Sequence, residues 1–275
     1  MKNIVMKING GCKTILCCMA GCFMVVCLSA QTDSGYLKSF DGTRIYYEVT
    51  GKGDPVLLIH GFIVNSQSWK KTAVYTDLIA AGYKVITFDS RGNGKSDKPH
   101  MTEAYEHDAE AKDIMALLTE LRIQRYSAIG YSRGSIILAR LLVLDRNLEK
   151  AVIGGMGTDF TNPEWPRRIM FYKALSGEDI PELAGVIKYV HEQGLDQQAL
   201  AFMQKGQPST SKEDLAKIKK PVLVLCGDRD ADNGAARNLA GMIPGAIFKT
   251  VPGEHNDASH SKEFSNEVIT FLGKK

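Results

Sequence analysis

Apolar residues along this chain follow two spacings, and the two take turns. Short strand-like apolar runs lie at residues 56–60, 84–88, 125–129, 151–155, 221–226 and 247–251. Longer segments between them carry apolar residues at helical spacing, as Ile114, Leu117, Leu118 and Leu121 do within 102–121. The spacing predicts helices over 69–81, ended by Gly82, over 102–121, and over 135–143. Two further runs, 36–40 and 43–49, flank Asp41-Gly42 and predict a hairpin. Strands that alternate with helices predict an α/β fold, with a mostly parallel sheet covered by helices on both faces. In such sheets ligands bind outside the C-terminal ends of the strands.

The alternation stops between residues 158 and 219. That segment has no strand signal and three helical pieces, 166–175, 180–192 and 197–204. The expected organisation is a core made of residues 31–157 and 220–275, with 158–219 inserted as a small helical unit. Apolar positions such as Trp165, Phe171 and Leu200 are expected to pack the insert onto the core, with a few facing a pocket.

The first thirty residues differ in kind. Lys2, Lys7 and Lys13 are followed by an uncharged stretch over 14–30 that ends in Leu28-Ser29-Ala30. A basic start, an apolar middle and a small-residue end describe a secretory signal peptide. The expected location is therefore periplasmic or secreted. Met19-Ala20-Gly21-Cys22 offers an alternative, a lipoprotein-type cleavage that would leave Cys22 lipidated. The run is short for a membrane span, so no integral span is expected. Five of the six cysteines lie in this leader, which leaves Cys226 as an inert core thiol with no partner for an internal disulfide.

The formal charge of the whole chain is +3, and the three leader lysines account for it. A formally neutral body gives no electrostatic case for nucleic acid. No Cys/His cluster has metal-ligand spacing, so neither metal nor cofactor is expected.

The candidate chemistry sits in Gly130-Tyr131-Ser132-Arg133-Gly134. A strand-like run precedes it and an apolar helical run follows. A chain that turns from strand to helix through a serine must bend sharply, and flanking glycines remove the Cβ clashes that would forbid the bend. Ser132 then stands at a helix N-terminus, where free N–H groups favour negative charge. A nucleophilic serine needs a base, and the base needs an orienting carboxylate. The run 221–226 ends in Gly227-Asp228-Arg229-Asp230. Asp230 is the expected acid and Asp228 the alternative. The run 247–251 ends in Pro252-Gly253-Glu254-His255, which makes His255 the expected base. His60, His100 and His107 lie upstream of the serine, and His191 lies in the insert. His260 is the remaining rival, expected on the terminal helix and facing solvent. The oxyanion hole is expected from the backbone amides of Arg133 and Phe62. Gly61 is expected to let that backbone approach closely, and His60 to prop the loop.

Together these residues resemble the α/β-hydrolase fold family, in particular serine esterase-like members with a helical cap, over most of the chain after about Gly35. Asp89-Ser90-Arg91-Gly92-Asn93-Gly94-Lys95-Ser96-Asp97-Lys98-Pro99 matches the D-x-R-G-x-G-x-S-x-x-P segment of many such members, where a structural role is implied. Gly94-Lys95-Ser96 also mimics the end of a phosphate loop. Asp89 stands where that motif requires glycine, and a carboxylate there repels phosphate. The resemblance implies a serine hydrolase that cleaves a carboxylic ester, lactone or thioester of a small-molecule acyl substrate through an acyl-enzyme. Epoxide hydrolases and haloalkane dehalogenases of this fold carry aspartate at the elbow, so Ser132 argues against both. GYSRG does not match the G-G-S-W-G of proline-directed aminopeptidases. Carbon–carbon bond hydrolases, haloperoxidase-like members and triad-retaining ligand receptors stay open.

Overall fold

The computed structural model describes residues 32–273. The expected leader, with Cys22, lies outside the described residues. Eight strands form one sheet: β1 (Thr32–Lys38), β2 (Arg44–Thr50), β3 (Pro55–Ile59), β4 (Lys84–Phe88), β5 (Tyr126–Tyr131), β6 (Leu148–Gly154), β7 (Val222–Gly227) and β8 (Ile247–Val251). Their order across the sheet is β1-β2-β4-β3-β5-β6-β7-β8. Pairs β1–β2 and β2–β4 are antiparallel and the rest are parallel. The fold is thus a mostly parallel α/β sheet. The hairpin strands start and end a few residues away from their expected bounds.

The unbroken apolar runs have a direct cause: both faces of the sheet are covered. Leu57, Ile59, Ile86, Ala128, Ile153 and Val224 point into one core layer. Their neighbours Val56, Leu58, Val85, Ile129, Val152 and Leu223 point into the other. The period of two in side-chain direction sends alternate residues to opposite layers, so polar residues have no place in either set.

Helices α1 (Ala73–Ala80), α2 (Ala109–Glu120) and α3 (Arg133–Leu144) follow β3, β4 and β5 respectively. Two helices expected as single pieces are divided. The first breaks at Thr72, whose backbone is extended and whose hydroxyl accepts the Tyr75 N–H; a 3₁₀ turn, Ser66–Lys71, precedes it. The second breaks at His107 and Asp108, both at positive φ. Asp108 leaves helical geometry to receive Arg140 at 2.8 and 2.7 Å, a bidentate tie that holds the start of α2 against α3. Periodicity counts apolar residues and cannot see a polar anchor that reorients the backbone between two amphipathic pieces.

Between β6 and β7 lie α4 (Pro166–Leu175), α5 (Ala184–Glu192), α6 (Gln197–Lys205) and the short α7 (Lys212–Leu215). The piece expected over 180–192 begins as a 3₁₀ turn, Pro181–Leu183, that runs into α5 at Ala184. α7 carries too few apolar residues to register as a pattern. Helices α8 (Ala236–Met242) and α9 (Lys262–Gly273) complete the layers. No helix among the described residues is long and apolar enough to cross a membrane.

Candidate active site

The register of the parallel strands brings the candidate residues to one edge. Ile59 pairs with Gly130, so β3 and β5 end at the same level and deliver Phe62 and Ser132 side by side. Gly227 pairs with Val251, so β7 and β8 deliver Asp230 and His255 together. The order of strands reverses at β3, which has β4 on one side and β5 on the other. Such switch points leave an open crevice at the strand ends.

Ser132 has φ 54° and ψ −124°, a conformation that L-residues rarely adopt. This bend lifts Oγ out of the line of β5. The Ser132 N–H donates to Gly154 O at 2.9 Å, which fixes the turn from below. The two motif glycines serve close approach. A Cβ on Gly130 would run into the Gly134 carbonyl, and one on Gly134 into the Ile59 carbonyl. Ser135 Oγ lies 2.9 Å from Gly130 O and 2.8 Å from Gly154 O and accepts the Gly154 N–H, a brace that nothing in the sequence pattern singled out.

His255 Nε2 lies 2.9 Å from Ser132 Oγ, and His255 Nδ1 lies 2.9 Å from Asp230 Oδ2. With Nδ1–H donated to the carboxylate, Nε2 is left as an acceptor for the serine hydroxyl. Asp230 is nearly buried. Burial pushes its carboxyl up, but the hydrogen bond and charge of His255 and the Asp232 N–H outweigh this and hold it below the usual carboxylate range. Asp228 has a different place. It accepts the Gly253 N–H at 3.0 Å and stays half-exposed beside Arg229, so it ties the β7 loop to the β8 loop and does not reach the imidazole. His260 ends a 3₁₀ turn, Ala258–His260, ahead of α9 and not on it. Ser261 is extended and its hydroxyl accepts the Phe264 N–H, so the helix starts later than expected. His260 is exposed at the rim of the cavity.

The amides of Phe62 and Arg133 donate to no other group among the described residues. The approach expected at Gly61 is looser than anticipated: an added Cβ would meet Ser132 Cβ at 3.6 Å, an ordinary contact. His60 is buried, donates Nδ1–H to Gly61 O at 2.7 Å and accepts the Ser90 N–H on Nε2 at 3.0 Å. Burial lowers its pKa, and a neutral ring is what these two bonds require. Asn93 Nδ2 donates to the carbonyls of Phe62 and Val64 at 2.8 and 3.0 Å, which holds the loop that carries the Phe62 amide. Asp89 accepts the Ser66 and Lys95 N–H groups, each at 2.8 Å. Arg91 is fully buried and bonded to Asp113 at 2.6 and 2.7 Å and to Asp41. The glycine-rich segment after β4 is therefore a scaffold for the site.

Two partners were invisible in the sequence. Tyr131 Oη donates to the His255 carbonyl at 2.6 Å and so fixes the loop that carries the imidazole. The Arg133 guanidinium forms a buried bidentate pair with Glu110 at 2.7 and 2.5 Å. Only the fold brings residues this far apart in sequence into contact. Cys226 is buried, and burial with the nearby Asp230 raises its thiol to about 11, so it is not a competing nucleophile. No group of three or more His, Cys, Asp or Glu suited to a metal ion occurs among the described residues.

The cavity above Ser132 has two lobes. The larger, of about 330 Å³, runs past Trp69, Val186 and His260. The smaller, of about 80 Å³, runs past Ile136, Trp165 and Gln204. Ser132, His255, Phe62, Phe171 and Arg167 border both. Phe171 of α4 packs edge-on against Phe62 with ring centroids 5.8 Å apart, so the insert touches the loop after β3 directly.

Comparison with known proteins agrees with the fold. The family model of the alpha/beta hydrolase fold matches residues 54–187. A non-heme haloperoxidase from Rhodococcus erythropolis is 27% identical over 255 residues, which cover 79% of this chain and 91% of that one. Among solved structures, a bromoperoxidase from Bacillus anthracis superposes with a TM-score of 0.69 at 25% identity, covering 88% of this chain and 100% of the other. An esterase from Rhodococcus sp. ECU1013 superposes with a TM-score of 0.64 at 26% identity, covering 90% and 99%. The chain belongs to the α/β-hydrolase fold family, and it is an enzyme of that family.

Proposed function

We propose that the protein is a serine hydrolase that cleaves a carboxylic ester, or a related lactone or thioester, through an acyl-enzyme. The observation that carries this reading is the continuous chain Ser132 Oγ–His255–Asp230, with both links at 2.9 Å, below a cavity open to a small molecule.

In this reading Ser132 Oγ attacks the acyl carbon as its proton passes to His255 Nε2. The oxygen that becomes negative is met by the amides of Phe62 and Arg133, groups already oriented and not engaged elsewhere. His255 then gives its proton to the departing alkoxide. A water molecule, deprotonated by the same nitrogen, releases the acid and restores Ser132. Asp230 stays ionised throughout, holds Nδ1–H and stabilises the imidazolium. The insert over residues 158–219 acts as a cap that shapes the pocket.

Labelling with a fluorophosphonate, combined with turnover of p-nitrophenyl acetate and butyrate, tests the reading. Labelling at Ser132 with ester turnover is expected; folded protein that does neither overturns it.

The likeness to named haloperoxidases favours one second reading. Hydrogen peroxide could replace water as the acceptor of the acyl group and yield a peracid, which oxidises halide. Peroxide-dependent bromination of a phenol in acetate buffer, lost in Ser132→Ala, would support it. We further propose that residues 1–30 direct export, which intact-mass analysis of the mature protein from fractionated cells would check.

A further inference from the structure

The two lobes of the cavity differ in charge as well as size. No acidic side chain borders the smaller lobe, whereas three arginines do: Arg133, Arg167 and Arg168. Their charges are not balanced alike. Arg133 is matched by Glu110 within hydrogen-bond distance. Arg167 faces Asp232 at 3.6 Å, both half-exposed. Arg168 has no carboxylate within ion-pair distance among the described residues. Its terminal nitrogens rest on backbone oxygens, Nη2 on Pro163 O at 2.6 Å and Nη1 on Lys205 O and Gln207 O at 3.3 and 3.4 Å. Its Nε–H is buried with no partner, and so is the Nε–H of Arg133. Burial lowers the pKa of Arg168, and the charge of Glu164, beyond ion-pair distance, offsets this only in part. The buried amide side chains of Gln204 and Gln207 complete a polar wall. A buried donor left without a partner is costly unless something pairs with it.

We propose that the smaller lobe receives a free carboxylate carried by the substrate, so that the preferred substrates are esters bearing a carboxylate a few bonds from the scissile carbonyl. The inference rests on the hydrolase reading. Size limits the anion's arm. The smaller lobe, of about 80 Å³ against about 330 Å³ for the larger, takes the shorter arm of the substrate. The larger lobe, whose arginine at the rim is shared and whose far wall is Trp69 and Val186, takes the remainder of the molecule.

Two matched ester pairs test this, each followed by pH-stat titration. Monomethyl succinate against dimethyl succinate places the charge on the acyl side. Acetoxyacetate against its methyl ester places it on the alkoxy side. The wild type is expected to favour the anionic member of one pair by about tenfold or more in kcat/KM, the scale of one charge-assisted hydrogen bond. Arg168→Gln should bring that ratio close to one, and Arg168→Lys should retain most of it. Loosening of the insert in either variant would lower both members of a pair together and leave the ratio unchanged. If the wild type hydrolyses the neutral members as well as the anionic ones in both pairs, or if Arg168→Gln keeps the preference, the carboxylate assignment falls while the hydrolase reading stands. If none of the four esters nor p-nitrophenyl acetate is cleaved, the hydrolase reading itself has failed.

Discussion

The carboxyl edge of the sheet and the helical insert face the same cavity but hold their residues by different means. At the edge, the reactive groups follow directly from strand ends whose register is set by ladders on both sides. Helix α3, which starts at the elbow, buries nine of its twelve residues, so Ser132 stands on a support that cannot shift without opening the core. In the insert, α4 buries only Ala174 and Leu175 and α5 only Val190, whereas α6 buries five of its nine residues. Few buried apolar contacts mean lower local stability. The difference bears on where each proposed task sits: the atoms proposed to react stand at the sheet edge, and the arginine proposed to select the substrate stands on the insert.

The largest effects should come from the edge. Ser132→Ala and His255→Gln should each lower kcat by roughly 10⁵–10⁶ with the fold intact by circular dichroism. His260→Gln should leave kcat within about threefold, since a ring at the rim touches neither partner. A dead His260→Gln would show that the base has been misassigned.

Asp230→Asn should cost about 10⁴ in kcat through the wrong imidazole tautomer, while Asp228→Asn should cost little. Asp228 supports a loop and does not touch the ring, and a reversed ranking would break the comparison at its most specific point. Asn93→Ala should come next. Without its two bonds the carbonyls of Phe62 and Val64 lose their anchor, and kcat should fall about tenfold or more with KM nearly constant.

On the insert, Phe171→Ala should act in the opposite sense. It should raise KM for longer acyl chains by roughly tenfold through lost apolar contact, and change kcat for acetate esters by less than about threefold. An equal loss of kcat for every ester would mean that the insert sets the reactive geometry too.

The smallest effect concerns stability. Burial holds the pKa of His60 in the fold below the ordinary imidazole value of about 6.5. Between those two values the unfolded chain binds a proton that the folded one does not, so stability contributed by the neutral ring is lost as pH falls below about 6.5. Melting temperature should drop from pH 7 to pH 5, and His60→Gln should lower it at pH 7 while flattening that slope.

The order of elements was readable in the sequence because burial on both faces leaves unbroken apolar runs that alternate with helical spacing. Ser132, Asp230 and His255 were readable as candidates because each follows such a run, and Phe62 and Arg133 because they adjoin the loop and the elbow. Asp228 and Asp230 could be ranked only by habit of position; the register of β7 on β8 decided which carboxylate meets the ring. The split helices at Thr72 and Asp108 were hidden because their causes, a hydroxyl cap and an ion pair to Arg140, carry no period. Tyr131, Glu110 and Asn93 were hidden because their partners lie far away in sequence. The sequence by itself determined the layers and the chemistry offered at the strand ends, since those depend on local spacing and on which backbone conformations each residue allows. Tertiary structure alone decided which offered groups meet, how the cavity divides into two lobes, and that one arginine in the smaller lobe has no carboxylate within ion-pair distance, because those are properties of distances between segments that local spacing does not encode.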